Sequence, residues 1–181
     1  MMTMTRLFLT AIVAVIAMNM LHEGGHALVA KLLGYDINMS MNRVWLQSGS
    51  YAPLWHRHAV DLAGPAVTIF LAWVGAGWAT KRGNKRAMTG AIMVFVALMM
   101  RVLATAVSVG NPNDEVRVSE AWGLGYWTLS GIVIALLGWL MFMVHRKLRL
   151  GWKFYGPVWI GASLGFAFIV FGEPYLPKLA L

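Results

Sequence analysis

Apolar residues fall into five runs along the chain, separated by short polar segments. The runs cover 7–33, 62–80, 87–110, 126–144 and 154–171. At about 1.5 Å per residue, each is long enough to cross a hydrocarbon layer of about 30 Å with modest tilt or slight thinning. Backbone polar groups in lipid must be satisfied within their own segment, so runs of this kind predict helices. Two runs are interrupted, the first by His22, Glu23 and His26 and the third by Arg101. The segment 34–58 has another rhythm. Tyr35, Ile37, Met39 and Met41 alternate with polar residues, and Ser48-Gly49-Ser50 follows. Period-two alternation with a turn signal predicts a short β-hairpin, re-entrant only if protein covers its edges. The pattern describes an all-α polytopic membrane protein with about five transmembrane helices and a hairpin or re-entrant loop after the first. It has no internal repeat, and 1–181 reads as one membrane-embedded domain. Arg6 followed by an apolar run looks like a leader sequence. Cleavage near Ala17 would cut the helix that carries the polar cluster, so a retained first span is expected.

Composition agrees. Of the 181 residues, 59% are hydrophobic and 12% charged, against about 25% charged in ordinary soluble domains. That excludes a soluble globular enzyme, a disordered tail and a coiled coil. With no cysteine, disulfides, thiolate metal sites and cysteine nucleophiles are excluded too. The net charge of +8 would suggest nucleic acid in a soluble protein. Here the cations sit in short clusters between apolar runs, which is how membrane topology is set, and no nucleic-acid partner is expected. Arg6, Lys81, Arg82, Lys85, Arg86, Arg146, Lys147, Arg149 and Lys153 fall on one side of five alternating spans. Lys31, Arg43, Arg57, Arg117 and Lys178 fall on the other. The imbalance predicts a cytoplasmic N-terminus and an external C-terminus in a cell membrane. The methionines and tryptophans fit lipid-facing filler and interfacial anchors.

The interruption of the first run carries chemistry. His22-Glu23-Gly24-Gly25-His26 fits H-E-x-x-H, in which histidines four apart share a helix face and can bind one cation. Random placement of this composition produces the pattern roughly 0.003 times. A charge near the middle of a membrane helix costs on the order of 2.5–3.5 kcal/mol, so the cluster is expensive without something to bind. The expected cation is one Zn2+ per chain, which in a catalytic site leaves a position for water and lowers the pKa of that water toward about 7. Glu23, offset around the helix, is placed to take the water's proton. Gly24 and Gly25 cost about 1 kcal/mol each relative to alanine. In return they offer either room for a substrate strand beside the metal or close helix packing.

A third ligand is needed. His22 lies about 16 Å below the membrane face at Leu33, so the ligand should arrive from that side. The segment 110–125 emerges there with Asn111-Pro112-Asn113-Asp114-Glu115. Asp114 is the first choice and Glu115 the nearest competitor. Asp61 precedes Gly64-Pro65, read as a helix start that Asp61 caps, and Glu173 reads as interfacial. Arg101, buried about 14 Å deep, reads as half of an ion pair with Asp61 or Glu115 before an oxyanion-stabilising group. His56 and His58 read as interfacial anchors. Gly161 and Gly165 fit small-xxx-small packing, a helix contact or a route to a homo-oligomer.

These residues resemble the site-2 protease family of intramembrane zinc metallopeptidases. The resemblance rests on His22-Glu23-Gly24-Gly25-His26, on Leu62-Ala63-Gly64-Pro65 in the next span, and on Asn111-Pro112-Asn113-Asp114 after the third. It covers about 7–125 as the metalloprotease core and leaves 126–172 as accessory helices. It implies His22, His26 and Asp114 as zinc ligands, Glu23 as general base and Asn111 as a substrate-positioning amide. It also implies a membrane protein or peptide as substrate, guided by the hairpin. The expected function is hydrolysis of peptide bonds in or near the bilayer. The rival is a non-catalytic membrane-embedded metal-binding or regulatory protein of the same fold.

Overall fold

The computed structural model describes residues 2–81, 83 and 85–181. Arg82, one of the topology-setting cations, lies outside them. The described chain forms α1 (Met4–Leu32), β1 (Ile37–Met39), β2 (Val44–Leu46), α2 (Leu54–Thr80), α3 (Ala87–Val107), α4 (Asp114–Ala121), α5 (Thr128–Leu148), α6 (Trp152–Gly172), a 3-10 turn (Glu173–Tyr175) and β3 (Leu179–Ala180). Five helices are long and apolar enough to cross a membrane. The chain is an all-α polytopic fold with a small sheet, as the apolar runs predict.

Helix α1 starts at Thr3, whose side chain accepts from Arg6 N at 3.3 Å, the usual way to satisfy a first-turn donor. It stops where Gly34 takes φ 85°, a left-handed conformation that side chains disfavour. The hairpin follows as expected, with Ile37 opposite Leu46 and Met39 opposite Val44. A third strand was not legible. β3 pairs with the free edge of β1, Met39 opposite Leu179, and two residues are too few to show an alternating pattern. Ile37 is fully buried and packs on Ala27, Ala30 and Val60, which pins the sheet to α1 and α2.

Two expectations about elements need correction. Helix α2 begins at Leu54 rather than 62, and Gly64-Pro65 lies inside it. Its first turns carry His56, Arg57, His58 and Asp61, too polar to read as membrane-spanning until their partners are known. Pro65 offers no N–H to the Asp61 carbonyl and its ring crowds that carbonyl, loosening the helix at this turn. Helix α4 lies within 110–125, a connecting segment for which the apolar pattern predicts no element. Asn113 caps it by accepting from Val116 N at 2.9 Å, and Asp114 and Glu115 occupy the first turn, where acidic side chains suit the helix dipole. Eight residues without an apolar run left no hydrophobic signature.

Side-chain size is distributed as lipid demands. Ala11, Ala72, Ala76, Ala91 and Val94 are buried between helices, whereas Leu9, Val13, Phe70, Ile132 and Phe168 point outward. Without a hydrophobic drive inside the bilayer, helices associate by close packing of small residues. At Gly75 and Gly90 the backbones of α2 and α3 touch, since a Cβ on either glycine would strike the other's carbonyl oxygen. Gly161 and Gly165 do the same for α6 against Phe8, Ala11 and Val15 of α1. Of the two expected uses for Gly161 and Gly165, the helix contact is the one seen, made with α1 of the same chain. The N-terminal half of α1 is thereby packed against α6, and its site half lies against α2.

Candidate metal centre

The H-E-x-x-H segment lies in the C-terminal half of α1, with His22, Glu23 and His26 all buried. The two imidazoles stand perpendicular, their planes 88° apart, and Nε2 of one is 3.2 Å from Nε2 of the other. Asp114 comes from the first position of α4. Its Oδ2 is 3.3 Å from His22 Nε2 and 3.4 Å from His26 Nε2. The three side chains form a group that could hold a metal ion.

The outer nitrogens decide what the inner ones can offer. His26 Nδ1 is 2.6 Å from the Val60 carbonyl oxygen, which only accepts, so Nδ1 carries the proton. His22 Nδ1 is 2.9 Å from Thr68 Oγ1. That hydroxyl donates its own proton to the Gly64 carbonyl at 3.2 Å, so it too accepts from the ring. With both tautomers assigned by their partners, each Nε2 presents a lone pair to the same small space as the Asp114 carboxylate. Three electron-pair donors at about van der Waals separation repel one another unless a positive charge, a proton or a metal cation, sits among them. Nδ1–H groups fixed on a carbonyl and a hydroxyl are the usual support for imidazole ligands.

Helix α2 makes room for the pair. A Cβ on Gly64 would overlap His26 Nε2 and lie 2.6 and 2.7 Å from His22 Cε1 and Nε2. Val60, Gly64 and Thr68 recur every four residues and so share one face of α2, which is the floor of the site. A Cβ on Gly25 would come within 2.9–3.2 Å of Ala63 and Val67 of the same helix, whereas one on Gly24 would meet nothing within 4 Å. Of the two expected uses for these glycines, Gly25 serves close packing.

The second oxygen of Asp114 is held by Arg117. Arg117 Nη2 donates to Asp114 Oδ1 and to Asp61 Oδ1, both at 2.7 Å, while Nε donates to Asp61 Oδ2 at 3.2 Å and Nη1 to the Pro112 carbonyl at 2.8 Å. Burial alone would raise the Asp114 carboxyl, but its contacts with His22 and His26, when a proton sits among the three groups, hold it well below the usual carboxylate range. Burial likewise disfavours charge on Arg117, and Asp61 and Asp114 more than offset it, raising the guanidinium above its ordinary value. Arg117 and Thr68 were not singled out from sequence as supports. Arg117 three residues after Asp114, and Thr68 four after Gly64, are the spacings that would have found them.

The other candidates separate cleanly. Glu115 pairs with Arg101, Nη1 to Oε1 at 2.9 Å, both side chains buried, so the arginine takes the structural pairing expected of it. Arg101 Nη1 also lies 3.8 Å from Asp114 Oδ2. Asp61 caps no helix; it is the carboxylate that Arg117 grips. Glu173 is largely buried, 3.8 Å from Arg43 Nε of the hairpin. Asn111 is exposed in the turn before α4 and makes no side-chain hydrogen bond among the described residues. His56 meets the Tyr35 hydroxyl at 2.7 Å and His58 accepts from Trp122 Nε1 at 3.3 Å, as anchors do.

Glu23 lies within electrostatic reach of His26, Asp114 and Arg101, and no hydrogen bond or ion pair holds its carboxylate among the described residues. One turn earlier, Asn19 donates its amide to the Met41 carbonyl of the hairpin. The β-sheet therefore lies beside the segment of α1 that carries Glu23. Compared with known protein families, with curated proteins and with solved structures, the chain matches none.

Proposed function

We propose that the chain is an intramembrane zinc metalloprotease of the site-2 protease kind, acting on peptide bonds of membrane-embedded or membrane-proximal substrates. The observation that carries this reading is the convergence of His22 Nε2, His26 Nε2 and Asp114 Oδ2, with an unpaired glutamate next in sequence to the first. Separations of 3.2, 3.3 and 3.4 Å suit zinc, because tetrahedral ligands at about 2.0–2.1 Å from the ion stand about 3.3–3.4 Å apart. Two imidazoles and one carboxylate are also a common donor set for a catalytic zinc. When bound, the ion would supply Lewis acidity, polarising a carbonyl and acidifying water.

The protein's own groups supply the remainder. Glu23, free of other partners, takes a proton from the attacking water and returns it to the departing nitrogen. Thr68 and Val60 keep the imidazoles in the tautomer that donates lone pairs inward, and Arg117 keeps one oxygen of Asp114 turned away from the site. Substrate helices must unwind here, since a helical peptide bond is shielded by its own hydrogen bonds. The hairpin on α1 offers an extended surface beside Glu23.

The test is Glu23→Gln in the full chain, reconstituted with a membrane-tethered reporter. Metal content should be unchanged while cleavage falls by about 10²–10⁴-fold, the range for losing a general base. Cleavage at the original rate would overturn the catalytic reading and leave a metal-binding membrane protein.

A further inference from the structure

The end of the bundle opposite the metal centre carries the basic residues of 81–86 and 146–153 and no acidic residue. Between α2 and α5 at that end lies a shallow depression, largely open to the surroundings, lined by Thr80, Phe142, Met143, Arg146 and Lys147. Helical spacing extends it into a slot along the lipid-facing seam. Trp73, Gly77 and Thr80 share a face of α2, and Trp139, Met143 and Arg146 share one of α5. The indoles of Trp73 and Trp139 meet with centroids 6.1 Å apart and close the slot at its inner end. Gly77 is exposed, and nothing stands within 4 Å of where its Cβ would be. The Arg146 guanidinium leans over the Phe142 ring at 5.8 Å. Neither Arg146 nor Lys147 has an ion-pair partner among the described residues.

We propose that this slot binds one anionic phospholipid. The phosphate sits against Arg146 and Lys147, and an acyl chain follows Phe142 and Met143 down to the tryptophan pair. The drop from residue 146 to 139 is about 10.5 Å at helical rise, enough for the upper half of an acyl chain. Charge and shape argue for a lipid together. Two unpaired cations above apolar walls match an anionic headgroup above a hydrocarbon tail. A free phosphate would leave the walls and the Gly77 opening unused. The inference stands apart from the chemistry at the other end and would survive its failure.

The experiment is native mass spectrometry of the full chain released from vesicles of phosphatidylglycerol and phosphatidylcholine. The expected result is one retained phosphatidylglycerol per chain. The double variant Arg146→Gln/Lys147→Gln, at exposed positions, should bind it roughly thirty-fold more weakly, the loss of two surface charges. Gly77→Trp fills the slot with both cations intact and should also lose the lipid. Equal retention of phosphatidylcholine would overturn the proposal. So would undiminished binding by Gly77→Trp, which would mean surface charge alone, or displacement by inorganic phosphate.

Discussion

At the end of the bundle where α1 meets the hairpin, all seven acidic residues of the chain are gathered, and several of the charges there are bound to one another. Arg101 is tied to Glu115, Arg117 to both Asp61 and Asp114, and Asp114 faces two imidazoles. At the other end the loops 81–86 and 146–153 hold only positive charge. The two ends obey different physics. Loop cations in water cost little and need no particular geometry, so they set orientation. Charges sunk among apolar helices cost several kcal/mol each unless paired, so they survive only where packing places a partner to within tenths of an ångström. The arrangement around His22, His26 and Asp114 is therefore specific, and small changes to it should be felt strongly.

That contrast can be broken most violently at Gly64. Gly64→Leu drives a side chain into both imidazoles, and metal affinity should fall by more than the 10–100-fold that loss of a supporting partner causes. Competition against a chelator of known affinity reads the change. Arg117→Gln removes the grip on Asp114 and Asp61 and should cost about 10–100-fold in the same assay, with part of the loss recovered by Arg117→Lys. Thr68→Ala leaves the His22 Nδ1–H without its acceptor and should cost about tenfold, the lower end of that range, restored by Thr68→Ser. At the opposite end, Arg146→Gln/Lys147→Gln should leave metal affinity unchanged and move stability by no more than about 0.5 kcal/mol. A comparable loss of metal from that variant would show that the two ends are not independent.

The five spans were legible because lipid imposes one requirement on every residue of a span, and an apolar run records it locally. The hairpin was legible from its alternation. Helix α4 and the first two turns of α2 were hidden because their polar residues are satisfied by distant partners, Asp61 by Arg117 across 56 positions, and no local pattern reports such a pairing. The same limit applied to the site. His22 and His26 could be read from spacing on one helix, and Asp114 from the side on which its segment emerges. The support given by Val60, Thr68 and Arg117 depends on how α1, α2 and α4 pack. Gly64-Pro65 looked like punctuation at a helix start; its glycine is instead the gap that two imidazole rings require.

The central claim is a single cation held by three side chains from α1 and α4. Its most direct test is the metal content and X-ray absorption spectrum of the full chain purified without added metal chelator. The account predicts about one zinc per chain with nitrogen and oxygen neighbours at about 2.0–2.2 Å, lost equally in His22→Ala, His26→Ala and Asp114→Ala. Zinc at full occupancy in any of these variants, or a chain that folds and binds no metal at all, would contradict it.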